Sequence, residues 1–407
     1  MAEPTVKPTE GSVTEQLLEN TLRYALEREY RGYDYCDGLS SRILQTLPIE
    51  NKWVNIGFQE VAKRSPINIR APLLIPKRRS FKGSGLFVMA NVTAYELTGR
   101  KLYLDQAEML VNWLLETRRE QPFGWGHNHD IQTLNTTVER NTPSIVSVTY
   151  ITLGILEFAK HRDTEAYALI KEHVPDLLFD TLEYSECRAG ARIKYKSTQQ
   201  DGVYTINANA LGARLLMELY HEFENVTYRD RAELILDYVV SQQTSIGGWK
   251  YTDPPSASHL SMDSHHNGFI IESLLRYGEL TDSRRYESAL TEALSFYKKT
   301  LFQSDGTPNW DEKRQYPRDI HAAAQGIITC SCAGDVEFAS KILDWSLGTL
   351  YAGNGQFHYR KQRYYTKEFT LMRWCQAWMS YALSIYAREK YVSTQVDVRT
   401  ETGDGDS

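Results

Sequence analysis

Hydrophobic positions between residues 83 and 391 recur at three- and four-residue spacing, the period of an α-helix. The helical segments come in twos. Residues 83–98 and 101–118 make the first pair, and 142–160 with 163–179 the second. The third is 203–223 with 228–242, the fourth 263–279 with 283–302, and the fifth 318–332 with 335–350. Segment 371–391 has no follower and segment 12–30 no predecessor, so these two can pair across the ends of the chain. The repeat is roughly 55–65 residues, longer than common solenoid periods.

Within each pair the first segment is the more apolar and carries small residues, such as Gly85, Ala90 and Ala94, or Ala208, Ala210, Gly212 and Ala213. The second is striped with charge, as at Asp105, Glu108 and Glu116 or Asp230, Arg231, Glu233 and Asp237. A helix apolar all round is buried, and a striped one faces water. The pattern therefore predicts an inner and an outer ring, an all-α (α/α)6 toroid of six helical hairpins. An open helical superhelix is the alternative. One domain over 12–393 is expected, with polar, disordered ends at 1–11 and 394–407. Prolines make 48–82 the least regular stretch.

The link after each outer helix repeats an aromatic beside a polar residue. It reads Gly32-Tyr33-Asp34-Tyr35, then Gly124-Trp125-Gly126-His127-Asn128-His129-Asp130, then Ile193-Lys194-Tyr195. Later come Gly248-Trp249-Lys250-Tyr251, Asn309-Trp310-Asp311 and Phe357-His358-Tyr359. In a toroid these links share one rim. Carboxylates recur there, including Asp34, Asp130, Asp253, Asp263, Asp311 and Asp319. Of ten histidines, seven fall on the rim: His127, His129, His259, His265, His266, His321 and His358. The densest stretch is Asp263-Ser264-His265-His266-Asn267-Gly268, at the start of an apolar helix, where one capping residue would suffice for folding. Each carboxylate at a helix start has the alternative role of N-cap, and each Gly-Trp that of a packing plug between helices.

Composition narrows the chemistry. The chain has 407 residues, 26 tyrosines against 13 phenylalanines, and a net charge of −6. Tyr and Trp offer flat faces with a polar handle, suited to sugars. No basic run points to nucleic acid, and no window is long and apolar enough for a membrane span. The start lacks the apolar core of a signal peptide, and five irregularly spaced cysteines read as reduced core thiols. A soluble, cytoplasmic protein is expected, with oligomeric state left open. His127-x-His129 lacks a metal-binding helical spacing, so no metal is expected. No Gly-rich phosphate loop implies a nucleotide cofactor, and none is expected.

A rim of carboxylates facing a cup suits glycoside chemistry, which needs one carboxyl as acid and another as nucleophile or base. Asp263 and Asp130 are the expected pair, with Asp319 third, and His265 and His321 would move protons or orient the sugar. Trp125, Trp249 and Trp310 would stack on sugar rings. Tyr33, Asp34, His127, His358, Tyr359 and Trp374 would contact substrate, and Arg373 would grip a carboxylate such as that of a uronic acid.

Several rim motifs also carry a family resemblance. Gly32-Tyr33-Asp34 with Asp37-Gly38, Ser65-Pro66-Ile67-Asn68-Ile69-Arg70, Asp263 to Phe269, and Phe357-His358-Tyr359-Arg360 with Met372-Arg373-Trp374 resemble the AglQ-like family of archaeal N-glycosylation and polysaccharide gene clusters. The resemblance covers about residues 30–388. It implies a six-hairpin, glycosidase-like fold acting on an oligosaccharide or lipid-linked glycan. Two alternatives stand beside glycosidase chemistry. One is a uronate C5-epimerase, using for example Tyr359 and His265 on opposite faces of the sugar. The other is a sugar-binding component of a glycan-assembly complex without turnover.

Overall fold

The computed structural model describes residues 10–48 and 51–402. Its helices, in chain order, begin with α1 (Glu10–Leu26), α2 (Arg42–Thr46) and α3 (Lys52–Arg64). There follow α4 (Phe81–Thr98), α5 (Lys101–Glu116), α6 (Ile145–Ala159), α7 (Glu165–Asp176), α8 (Ile206–Phe223) and α9 (Val226–Ser241). The last are α10 (Ser264–Thr281), α11 (Glu287–Phe296), α12 (Ile320–Cys332), α13 (Val336–Thr349) and α14 (Trp378–Thr402). A π-helical turn, Met372–Ala377, leads into α14. The predicted disordered ends lie partly outside the described residues. Where described, they are helical: α1 begins at Glu10, and α14 runs past position 394 to Thr402. The sequence has no Gly or Pro to stop that helix before Gly403.

The inner ring closes. α4 packs on α6, α6 on α8, α8 on α10, α10 on α12, α12 on α14, and α14 back on α4. Outer helices α5, α7, α9, α11 and α13 each pack on the inner helix before them, and α1 packs on α14. Chain-end pairing thus completes a six-hairpin toroid. The two rings differ as their sequences do. α4 is buried at every position from Phe81 to Ala94, whereas α5 buries Tyr103, Leu104, Ala107, Leu110, Val111 and Leu114, a single stripe. Glycine sets the closest inner crossing. A Cβ on Gly85 would sit 2.7 Å from the Tyr150 carbonyl oxygen, and one on Gly154 2.7 Å from that of Gly85.

Short antiparallel pairs crown the N-terminal ends of the inner helices. Arg31 and Gly32 pair with Arg79 and Arg78, Tyr204 and Thr205 with Asp253 and Thr252, and Arg318 and Asp319 with Lys361 and Arg360. The repeated aromatic has a backbone role here. The first N–H of α6, α8 and α12 donates to the carbonyl of Tyr195, Tyr251 and Tyr359, at 3.0, 3.0 and 3.3 Å, and Met372 N–H donates to Tyr33 at 3.0 Å. An amide on the next inner helix braces the residue two positions before three of these tyrosines. Asn209 holds Ile193, Asn267 holds Trp249 and Gln376 holds Phe357, each accepting the link N–H at 2.8 Å. Successive links are thereby stitched into one rim around the mouth of the ring.

Candidate active site

The start of α10 carries the densest cluster of polar groups at the mouth. Asp263 caps the helix, its Oδ1 accepting His266 N–H at 2.8 Å, while Oδ2 meets His266 Nδ1 at 2.7 Å. A carboxylate only accepts, so His266 carries its proton on Nδ1 and leaves Nε2 free. His265 stacks on His266 and on His321 of α12, with ring centroids 3.9 and 4.1 Å apart. Three imidazoles from two inner helices therefore lie face to face.

Aromatic walls hold them. Trp374 meets His321 edge-on at 4.5 Å and His265 at 5.8 Å, and Trp378 lies 4.5 Å from His321. Tyr35 stacks on Trp374 at 4.3 Å, and Tyr251 lies 4.6 Å from His266. His321 is 1% exposed, and neither ring nitrogen has a hydrogen-bond partner. His265 is surrounded by protein yet keeps 19% of its side chain open to solvent. Burial, reinforced by His266 and His321, holds the His265 pKa well below the ordinary histidine value, against the pull of Asp263. Burial, then Lys82 and Arg373, does the same for His321. Both rings are neutral near neutral pH and can accept a proton. Asp263 goes the other way: burial favours its acid form, but the charge and hydrogen bond of His266 bring it down to about 2. Donor atoms of Asp263, His265 and His266 lie within 4.8 Å of one another, close enough for a cation, although Asp263 Oδ2 and His266 Nδ1 already bond each other.

The remaining carboxylates are committed to neighbours. Asp319 is 4% exposed; it caps α12 through His321 N–H at 2.8 Å, accepts the Trp374 indole N–H at 2.8 Å and pairs with Arg360. Asp34, also 4% exposed, pairs with Arg373 at 2.6 Å. Arg373 is therefore not free to grip a substrate as the sequence suggested, because its guanidinium neutralises a buried aspartate from the other end of the chain. Asp130 is exposed and its Oδ1 accepts the Arg140 backbone N–H in a surface hairpin.

The tryptophans divide. Trp125 and Trp249 are 0% and 1% exposed, and their indole N–H groups donate to the Leu114 and Val239 carbonyls at 2.8 Å. They are plugs between outer helix and link, not stacking platforms, since an indole sealed by protein on both faces has none left for a sugar. Trp310 is half-buried beneath the Arg360 guanidinium, 4.8 Å from its ring. Tyr33 is half-buried under Lys77, and Tyr359 is buried with its hydroxyl unpartnered. His358 stands outside the imidazole stack, its backbone N–H donating to the Leu350 carbonyl and its ring Nδ1 unpartnered. His127 belongs to the mouth, 5.7 Å from His129 and within the fields of Lys82, Arg373 and Asp34. Burial lowers His129 to about 4.

Sequence reasoning missed Lys82, Tyr35, Tyr251 and Trp378, and named His266 only as part of a motif. The tyrosines had a readable signal, because each recurs at a fixed phase of the repeat. Lys82 had none, since a lysine in a first helical turn is ordinary. A separate cavity of about 390 Å³ opens at the other end of the ring, lined by Arg214, Glu218, Glu272, Arg276 and Tyr381 among others. Ion pairs between inner helices cross it, Arg214 with Glu272 at 2.9 Å and Arg276 with Glu218 at 2.8 Å. The stacked His265, His266 and His321 are not part of its lining, whose one histidine is His221. Among the described residues no helix is long and apolar enough to cross a membrane.

No family model and no curated protein matches the chain by sequence. Solved structures do match in shape. A D-mannose isomerase superposes with TM-score 0.65 at 12% identity over 95% of this chain and all of its own (100%). An unsaturated glucuronyl hydrolase specific for heparin gives 0.60 at 14% identity, covering 94% of this chain and 98% of that one. Cellobiose 2-epimerase from Bacillus thermoamylovorans gives 0.57 at 13% identity, with 76% and 88% covered. At such identities the likeness establishes the (α/α)6 toroid, a fold these sugar-processing enzymes share.

Proposed function

We propose that this chain is a saccharide-processing enzyme that works by moving a proton on and off carbon, an epimerase or isomerase, with His265, His266 and His321 as its acid–base groups. One observation carries the reading. The mouth gathers three closely packed imidazoles, of which His265 and His321 are held neutral by burial, while the predicted catalytic carboxylates Asp263 and Asp319 are capped or ion-paired and Asp130 lies at the surface. Glycoside hydrolysis needs two carboxyl groups facing each other across the sugar. Asp263 is taken up by His266, and Asp130 is exposed and bonded to the Arg140 backbone. Proton abstraction beside a carbonyl needs instead a neutral base at hydrogen-bonding reach and a group to return the proton.

The step balances simply. An imidazole nitrogen takes the proton from the carbon next to a carbonyl, and the C–H electrons pass into an enediolate. Returning the proton to the opposite face of the same carbon gives an epimer; returning it to the former carbonyl carbon, while the neighbouring hydroxyl passes its proton to the first oxygen and becomes the new carbonyl, gives an isomer. His266, oriented by Asp263, becomes a cation stabilised by that carboxylate when it accepts a proton. Trp374 and Tyr35, stacked beside the imidazoles, present the aromatic wall against which a sugar ring would lie. The sequence motifs add a setting, the processing of an oligosaccharide or lipid-linked glycan during N-glycan or cell-surface polysaccharide assembly.

Incubation of the protein with aldoses and uronic acids in D2O tests the reading. Deuterium should enter a sugar carbon without release of free sugar from a labelled oligosaccharide. Cleavage without exchange would favour glycosidase chemistry, and binding with neither would favour a sugar-binding component.

A further inference from the structure

The first turn of α4 carries a lysine that this chemistry does not use. Lys82 is 9% exposed in the first turn of an inner helix, with Ser80 as cap. Its ammonium makes no ion pair among the described residues and lies 5.9 Å from the centre of the Trp378 ring. The buried arginines of the mouth are matched by carboxylates, and buried Lys367 by the backbone carbonyls of Lys63 and Arg64. Arg373 has Asp34, Arg360 has Asp319 and Arg70 has Asp37. A buried, unpaired charge costs stability unless something else satisfies it. Its position says what that is, because His127, His265 and His321 all lie within its field. The amine therefore faces the same space as the imidazoles, at the N-terminal end of a helix, where the backbone favours negative charge.

We infer that Lys82 is a binding residue for an anionic group on the saccharide, so that the cup takes an acidic sugar, carrying a carboxylate or a phosphate, rather than a neutral one. This rests on the reading of the mouth as a sugar site. Burial, then the charge of Arg373, lowers the Lys82 pKa to about 7 against the pull of Asp34. A bound anion would supply the missing counter-charge and restore the ammonium. Arg373, the residue the sequence singled out for this task, cannot perform it while it neutralises Asp34. The carboxylate of a uronic acid and the phosphate of a sugar phosphate share the required chemistry.

Calorimetric titration of the full chain with D-glucuronate, D-glucose 6-phosphate and D-glucose tests the assignment. At least one anionic sugar should bind more tightly than D-glucose, and the tighter of the two identifies the source of the charge. Lys82→Met should weaken that binding by about 10- to 100-fold, the range of a charge-assisted hydrogen bond, and leave D-glucose unchanged. The same substitution should raise the thermal midpoint, because it removes an unpaired buried charge. Lys82→Gln provides a second variant of similar size. Equal binding of all three probes by the native chain would overturn the inference without any variant. So would a lowered midpoint in both variants with binding unchanged, which would make Lys82 structural. Deuterium exchange into neutral aldoses with no preference for acidic ones would leave the proton-transfer proposal standing and remove this one. Lys82-dependent binding of an acidic sugar without exchange would do the reverse.

Discussion

Replacing Asp263 with Asn separates two jobs that one carboxylate performs. Oδ1 caps α10, and Asn caps a helix about as well as Asp. Oδ2 fixes the proton of His266 on Nδ1 at 2.7 Å, and an amide nitrogen there would donate instead, favouring the tautomer with Nε2 protonated. The base would be lost while the helix start remained. A positioned general base contributes about 10²- to 10⁴-fold to rate, so deuterium exchange into the sugar should fall within that range. Stability gives an independent check. The folded carboxyl titrates at about 2 against an ordinary 3.8, with 21% of the side chain exposed. At about 1.4 kcal/mol per pKa unit, the ionised form stabilises the fold by about 2 kcal/mol. The folded pKa is the lower one. The contribution is therefore complete above about pH 4, about half gone near pH 3, and lost as pH falls through about 2. Urea denaturation should show native protein ahead of Asp263→Asn by about 2 kcal/mol at pH 7 and by about 1 kcal/mol at pH 3. An equal gap at both pH values, together with undiminished exchange, would refute the coupling of Asp263 to His266 and with it the role given to that imidazole.

Other substitutions probe the frame around the mouth. Trp249→Phe strands the Val239 carbonyl that the indole serves at 2.8 Å; it should cost about 1–3 kcal/mol in denaturation with KM unchanged, and a raised KM at native stability would make Trp249 a sugar platform after all. Gly85→Ala drives a methyl to 2.7 Å from the Tyr150 carbonyl at the α4–α6 crossing; a loss of about 1–3 kcal/mol is expected, and no loss would mean that the ring does not close so tightly there. Arg373→Met should be harsher. Burial pushes the Asp34 carboxyl up, but the charge and hydrogen bond of Arg373 hold it well below the usual range. Removing the guanidinium strands a buried anion at about 3–5 kcal/mol. That loss should appear above the ordinary carboxylate range, fade in acid, and largely disappear in the Arg373→Met, Asp34→Asn double variant. A single variant as stable as the native chain would argue against the pair.

How much of this was legible in the sequence depends on how far apart the partners lie. The alternation of apolar and striped helices is local, so the two rings and the six hairpins could be read directly. The crowd at Asp263, His265 and His266 is local too. Gly-Trp in a link reads alike as plug or platform, and only the neighbouring outer helix decides between them, as at Val239 for Trp249. The fate of the carboxylates was out of reach. Asp34 meets Arg373 across 339 positions and Asp319 meets Arg360 across 41, so the pairing exists only once the ring closes. Lys82 is the extreme case: an unremarkable first-turn lysine by sequence, placed among imidazoles by topology.

The same topology accounts for the shift from carboxylates to imidazoles. A six-hairpin ring aims the N-terminal ends of all its inner helices at one mouth, and each end favours negative charge through its free N–H groups and its dipole. Aspartates placed there are drawn into capping, as Asp263 and Asp319 are, and the cations around the rim pair with those that remain. A carboxylate so held has its lone pairs occupied, and those of Asp263 and Asp34 titrate below the usual range. A histidine in the same field is pushed toward its neutral form, by burial and by nearby cations together. The architecture therefore favours imidazole over carboxylate as the free proton acceptor at neutral pH. Where the six helix starts leave an ammonium unpaired, as at Lys82, the same field has room for one more anion, and the sugar is what can bring it.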